Sequence, residues 1–159
     1  MPNLTVTTKE HIVLQGRQQG STRTMTFSNI VDVFNRIYSF KQQELTSLYT
    51  THNDTVSGAV FYDGSIKYVR ITNLGSHPIV INPIGETDGS DQMNAAYELS
   101  RGQSFYLYSH TVCMRVDDTN AISSAEMNGS LRDIDSVSAY CTKGAGRVEV
   151  FVASTEASK

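Results

Sequence analysis

The sequence predicts a mainly β protein: an antiparallel β-sandwich of jelly-roll type with one short amphipathic helix near the N-terminus. Beyond residue 46, apolar and polar residues alternate along short runs, which is typical of half-buried strands. Turn-forming residues separate these runs at intervals of roughly 8 to 12 residues, the spacing of sandwiches and barrels. The βαβ alternation of a parallel sheet is absent from the sequence.

Length and composition indicate a single globular domain. A chain of 159 residues buries roughly 70% of the surface that its unfolded form exposes. Hydrophobic residues make up 39% and charged residues 18% of the chain, less charge than the ~25% of ordinary soluble domains. The net charge of −3 disfavours nucleic acid as a partner, and no apolar run is long enough for a membrane span or a secretory signal. We therefore expect a soluble protein that contacts other proteins.

The N-terminal region predicts short strands. Leu4 and Val6 alternate with polar residues, as do Ile12 and Leu14. Two separate strands would explain this pattern, and so would a hairpin that turns near residues 8–10.

The stretch SNIVDVFNRIYSF, residues 28–40, shows helical periodicity. Ser28 is a suitable N-cap, and polar residues collect on the opposite side of the helix. The β-branched and aromatic content leaves a strand as the alternative. The apolar residues recur at steps of three and four: Phe27, Ile30, Val31, Phe34, Ile37 and Tyr38.

The stretch KYVRITNLGSHPIVIN, residues 67–82, predicts a strand, a turn and a second strand. Val69 and Ile71 face one side of the first strand, and Ile79 and Ile81 resume that inward face in the second. Because few residues separate them, we expect the two strands to pair as an antiparallel hairpin.

Aromatic residues predict a contact surface. Phe105 and Leu107 alternate with two tyrosines, and Phe151 lies opposite the valines of the last strand. Exposed tyrosine rings are favourable at protein interfaces because each offers a rigid contact with a polar tip. The alternative is that these rings cover a second sheet or the helix. The candidate protein-contact residues are Tyr68, Tyr106, Tyr108 and Phe151.

No catalytic, metal-binding or cofactor-binding residues are predicted. The histidines, at positions 11, 52, 77 and 110, show no chelating spacing, and DDTNAISSAEMNG, residues 117–129, departs from a calcium loop at several positions. Residues 86–92 carry Asp88 and Asp91, for which a solvated loop is the default and a weak cation site the alternative. Cys113 and Cys141 are expected to be buried thiols, with a disulfide between them left open.

The sequence divides into three expected parts within one domain. Residues 1–45 are the N-terminal strands, or arm, with the helix, and residues 46–154 are the sandwich core. Residues 155–159 are expected to be a flexible tail because they offer nothing to bury.

Three stretches together resemble small virion structural proteins of tailed bacteriophages, especially those of marine and cyanobacterial hosts. They are DGSIKYVRITNLGSHPIVINPIG, LSRGQSFYLYS and DIDSVSAYCTKGAGRVEVFVAS, within residues 56–154. The resemblance implies a non-enzymatic sandwich that decorates or cements a capsid, made in the host cytoplasm and located in the virion. It implies capsid or other virion proteins as partners, and it carries over no functional residue.

Assembly into a homo-oligomer or a symmetric lattice is expected of such a component. Two alternatives remain open from the residues. One is a tail or tail-fibre component, such as a carbohydrate-binding sandwich, and the other is a hydrolase that uses scattered carboxylates.

Overall fold

The protein is mainly β, and its described residues contain no helix. The computed structural model describes residues 2–51, 59–62, 64–85, 93–108, 111–114 and 131–158, with the side chains of 93–94, 111–114 and 131–133 outside the description. The strands are β1 (Leu4–Lys9), β2 (Ile12–Leu14), β3 (Arg17–Gln19), β4 (Thr22–Phe27), β5 (Asp32–Phe40), β6 (Thr46–Thr50), β7 (Ala59–Val60), β8 (Ile66–Asn73), β9 (Ile79–Gly85), β10 (Met93–Asn94), β11 (Tyr97–Leu99), β12 (Ser104–Leu107), β13 (Thr111–Met114), β14 (Leu131–Tyr140) and β15 (Gly146–Ser154).

Two large sheets share one hydrophobic core. The four-stranded sheet has the order β12-β8-β15-β5, and the seven-stranded sheet has the order β10-β9-β14-β6-β7, with β11 beside β9 and β13 beside β14. A single cluster of buried side chains receives Val69, Ile71 and Val150 from the first sheet and Ile79 and Ile81 from the second. The predicted alternation of inward residues is confirmed, because these five side chains are 0% exposed.

The predicted hairpin over residues 67–82 is wrong, although its inward faces are right. β8 pairs with β12 and β15, whereas β9 pairs with β10, β11 and β14. Residues 74–78 therefore carry the chain from one sheet to the other. An arch of this kind keeps the apolar residues of both strands on the core side of their sheets, which alternation alone does not distinguish from a hairpin.

Asn73 fixes this arch. Its Nδ2 donates to the carbonyl oxygens of His77 and Leu99, both at 2.9 Å, and its Oδ1 accepts from the backbone N–H of Gly75 at 2.8 Å. The Asn73 backbone also exchanges hydrogen bonds with Gly102 and Gln103. The side chain is 0% exposed, so one buried amide ties the end of β8 to the arch and to the chain beyond β11.

The helix predicted within residues 28–40 is wrong, and its alternative, a strand, is what forms. β5 pairs with β15 along its whole length, from Asp32 opposite Ser154 to Phe40 opposite Gly146. Asn29 has a φ of 62°, which places a left-handed residue just before the strand. Pairing with a long partner strand outweighs the helical spacing, and β-branched and aromatic side chains suit a pleated surface.

The N-terminal strands form one long hairpin that we call the arm, residues 4–27. β1 pairs with β4, and β2 pairs with β3. The turn lies at Gln15 and Gly16, whose φ angles are 50° and 74°, rather than near residues 8–10. In the predicted turn region the strands are instead only interrupted, at residues 10–11 and 20–21, where the backbone N–H of Glu10 donates to the carbonyl oxygen of Ser21 and Gly20 has a φ of 134°.

The C-terminal residues bond back to the sheets. Thr155 donates its N–H to the carbonyl oxygen of Ser65, and Ser158 donates its N–H to the Asp32 carboxylate at 2.8 Å. These bonds from Ser158 lower the pKa of Asp32 below its ordinary value. Because β5 belongs to the four-stranded sheet, part of segment 1–45 lies within the core architecture.

Other predictions fall outside the described residues. They are those for residues 86–92 and 117–129, for His52 and His110, and for the side chain of Cys113. Cys141 is a buried free thiol 3.4 Å from the carbonyl oxygen of Pro78. The described part of the chain has no helix long and apolar enough to cross a bilayer.

We expect Asn73→Ala to lower the free energy of unfolding by about 2 to 4 kcal/mol, because the substitution leaves a buried N–H and two buried carbonyls without the Asn73 side chain. Urea unfolding of the two proteins measures the difference. Asn35→Ala, on the exposed part of β5, is the matched control and should change stability by less than about 0.5 kcal/mol. Equal losses in both variants would contradict the role assigned to Asn73.

Candidate functional site

The candidate site is the outer face of the four-stranded sheet, the side turned away from the core. Cross-strand pairing places Tyr106 opposite Arg70, and Arg70 opposite Phe151. Tyr68 and Tyr108 continue the same face because they lie two residues along from Arg70 and Tyr106. Glu149 lies on this side of β15, two residues from Phe151.

Tyr68 lies at the centre of the aromatic cluster. Its ring centroid is 5.8 Å from that of Tyr108, 5.9 Å from Phe151 and 5.7 Å from Phe27 of the arm. The side chain is only 4% exposed. Burial raises the pKa of the Tyr68 phenol, while the nearby Arg70 acts in the opposite direction.

Tyr106 and Tyr108 form the open part of the outer face. Their rings are stacked, with centroids 6.1 Å apart and an interplanar angle of 5°. The two side chains remain 46% and 39% exposed. Together they form an exposed pair of aromatic side chains with polar hydroxyl groups, suited to contact with a partner.

Arg70 connects the tyrosines to the last strand. Its Nη2 atom donates to Glu149 Oε2 at 2.8 Å, and its guanidinium lies 5.5 Å from the centroid of the Phe151 ring. Both charged side chains are partly exposed, so the ion pair adds little to the free energy of unfolding. Its main effect is to orient the Arg70 side chain. The pair holds the guanidinium beside the Phe151 ring, on the face that the tyrosines share.

The base of the arm covers part of the outer face. Leu4, Val6, Phe27 and Phe151 pack against a small buried cluster. That cluster consists of Ile30, Tyr68 and Ala153. The arm therefore packs on the sheet through its first and last residues. This contact lies over Tyr68, next to the exposed pair of Tyr106 and Tyr108.

The structure brings together all four predicted contact residues. Tyr106 and Tyr108 are exposed, Phe151 is half-buried, and the alternation that predicted their orientation is confirmed. Tyr68 differs because it is buried under the arm of its own chain. This outcome is close to the alternative that the rings pack within the protein, except that the arm, and not a helix, is the covering element. A contact role for the other three stays a prediction.

Sequence reasoning missed two features of this face. It did not single out the Arg70–Glu149 pair, although alternation already places Arg70 on the same side as Tyr68. It also missed Phe27 as a ring that covers Tyr68, because the packing of the arm on the body cannot be deduced from spacing. Neither the Arg70–Glu149 pair nor Phe27 belongs to a sequence motif that would have identified it.

The described part of the chain contains no cluster of potential metal ligands. Within residues 2–51, 59–62, 64–85, 93–108, 111–114 and 131–158, no three His, Cys, Asp or Glu side chains cluster so as to hold a metal ion. His11 lies in the exposed arm, and His77 lies in the arch near Gly144. The aromatic outer face is thus the best-formed site in these residues.

Comparisons with protein-family models, with curated proteins and with solved structures returned no match for this chain. The functional argument therefore depends on the geometry of the outer face and of the arm.

We expect Phe27→Ala to release the base of the arm, because the substitution removes the ring that packs on Tyr68. Hydrogen exchange followed by mass spectrometry should show severalfold faster exchange in β1 and β4, with little change in β15. Thr26→Ala, an exposed neighbour on the opposite face of β4, is the control and should leave exchange unchanged. Unaltered exchange in Phe27→Ala would show that the arm does not depend on this contact.

Proposed function

We propose that this chain is a non-enzymatic structural protein of a bacteriophage virion, which decorates or cements the capsid through protein–protein contacts. Its partners are capsid or other virion proteins, and it assembles as a homo-oligomer or on a symmetric lattice. The fold that we propose for this role is a jelly-roll β-sandwich. The resemblance of the three sequence stretches described above is consistent with the same role.

The strand order supports the jelly roll. In the four-stranded sheet, β5 lies beside β15, followed by β8 and β12, and in the other sheet β6 lies beside β14, followed by β9 and β11. In both sheets the first strand therefore neighbours the last. The chain passes between the sheets at residues 41–45, 74–78, 100–103 and 141–145. An antiparallel ribbon rolled up on itself has this order, and jelly rolls form many viral capsid domains and lectins.

The stacked and exposed Tyr106–Tyr108 pair on the outer face is the observation that carries the proposal. The two rings are 46% and 39% exposed on a rigid sheet. Covering this aromatic surface with a partner protein removes it from water and so favours binding. Aromatic side chains and arginine are enriched in protein interfaces, and here Arg70 lies opposite Tyr106 in the neighbouring strand. The composition agrees, since only 18% of residues are charged.

We expect the pure protein to bind capsid shells that lack it, and the double variant Tyr106→Ala/Tyr108→Ala to bind at least about tenfold more weakly, as loss of interface hot spots does. Co-sedimentation with the shells measures binding, and proteomics of purified particles checks that the chain is a virion component. Tyr62→Ala, with 44% exposure away from the outer face, is the matched control. Absence of the chain from particles would contradict the proposal.

The same tyrosine pair supports a second candidate, a tail or tail-fibre component that binds carbohydrate. The exposed tyrosine rings beside the Arg70–Glu149 pair offer both apolar surface and polar groups for hydroxyls. A glycan array distinguishes the two candidates. Glycan binding that is lost in the double variant and kept in Tyr62→Ala would favour the carbohydrate function, and binding to shells without glycan binding would favour the capsid function.

A further inference from the structure

β5 is the one long edge strand of the two large sheets, in the part of the chain that the structure describes. It has 9 residues and pairs only with β15, so its other edge is open. The remaining described edge strands, β7, β10, β11, β12 and β13, have 2 to 4 residues each. Short edges offer little backbone to another chain, whereas a long open edge is a template for strand pairing.

The composition of β5 favours pairing at this open edge. Val33 and Ile37 face outward and are 49% and 48% exposed, while Phe34, Tyr38 and Phe40 face the core side. β-branched and aromatic residues are enriched in strands, and short runs of them with little charge are typical of segments that aggregate by strand pairing. Such an edge requires a feature that opposes association with another edge.

Arg36 is the only charged residue within positions 33–40. It lies on the core side of β5, because Phe34 and Tyr38, two residues away in either direction, pack against the core. Its cross-strand neighbour Val150 is fully buried, yet Arg36 itself is exposed. The chain therefore carries a charge on the inward side of its open edge, where the alternation of the strand would otherwise place an apolar residue.

Two aromatic rings hold the Arg36 side chain in this position. Its guanidinium carbon lies 5.8 Å from the centroid of the Phe34 ring and 5.9 Å from that of Tyr38. The Tyr38 ring is itself held, because its hydroxyl donates to the carbonyl oxygen of Leu48 in the other sheet at 2.9 Å. Contacts between a cation and aromatic rings at these distances are favourable. The charge therefore stays beside both rings, at the margin of the core.

We propose that Arg36 protects the edge of β5 against pairing with the same edge of a second copy. Such pairing would continue the four-stranded sheet and place the side chains of the incoming strand next to Arg36 on the core side. The guanidinium would lose water, and the incoming residues 33–40 would supply a second arginine and no acidic partner. Inward-pointing charges on edge strands oppose sheet extension in this way. The inference does not depend on the virion role, and it leaves assembly to other surfaces, such as the outer face.

Removal of the charge tests the proposal. In a chain that carries Tyr106→Ala/Tyr108→Ala, and so lacks the proposed contact surface, Arg36→Val should raise the mass from light scattering severalfold across a concentration series. The substitution changes the net charge from −3 to −4, so general electrostatic repulsion predicts the opposite result. Arg36→Lys keeps the charge and should leave the mass unchanged. Arg23→Val, which removes an arginine from the exposed arm, is the matched control and should also leave it unchanged.

Hydrogen exchange locates the new contact. When Arg36→Val associates, the amides of residues 33–39 that point away from β15 should exchange severalfold more slowly than in the dilute protein. Those of β12, at the opposite edge of the same sheet, should exchange as before. Slower exchange in β12 alone would contradict the proposal, and so would a mass of Arg36→Val equal to that of Arg36→Lys.

Folding and shell binding keep the outcomes distinct. Slow exchange in β15 shows that Arg36→Val is folded, and Arg36→Thr, which also lacks the charge, replaces it if it is not. If Arg36→Val in the otherwise wild-type chain does not associate but binds capsid shells more weakly, Arg36 contacts the shell protein and the edge protection is wrong. If Arg36→Val associates through β5 while the chain is absent from particles, the edge protection stands and the virion role is wrong.

Discussion

The structure depends on one constraint: two antiparallel sheets must enclose a single apolar core while short links carry the chain between them. Inward side chains from both sheets are fully buried in one cluster. The links expose backbone polar groups close to that core, and these groups need partners. Asn73 supplies three such partners at the arch between β8 and β9, where a backbone turn alone would leave groups unsatisfied. At this arch the chain crosses between the sheets, so that β8 and β9 join different ones.

This arrangement leaves the outer face of the four-stranded sheet available for contacts. Once Val148, Val150 and Val152 face the core, the residues between them must face outward. The same alternation turns Tyr106 of β12, and Tyr108 just after it, outward. The sheet then acts as a rigid support on which the stacked rings keep a fixed geometry. The base of the arm anchors on the same face through Phe27 and Tyr68. Contact surface and arm are therefore positioned by one element, as the proposed role in assembly requires.

Much of the fold was predictable from the sequence, and the failures have identifiable causes. The β class and the burial of Val69, Ile71 and Leu107 follow from alternation, since a period of two determines which side chains share a face. The partner of each strand does not follow, because hairpin and arch place the same residues inward. The stretch before Phe40 has helical spacing, yet pairing with β15 decides its conformation. The exposed tyrosines were predictable for the same reason as the core, whereas the burial of Tyr68 depends on a distant segment.

The central claim is that β8 and β9 belong to different sheets, and nuclear Overhauser effects between backbone protons test it most directly. The account predicts contacts from Ile71 to Phe105 on one side and to Val150 on the other, with Ile81 in contact with Ala139 and Tyr97. Backbone contacts between β8 and β9 should be absent beyond the arch. A ladder of cross-strand contacts that pairs residues 69–73 with residues 79–83 would contradict the account, because it would place both strands in one sheet and rearrange the outer face.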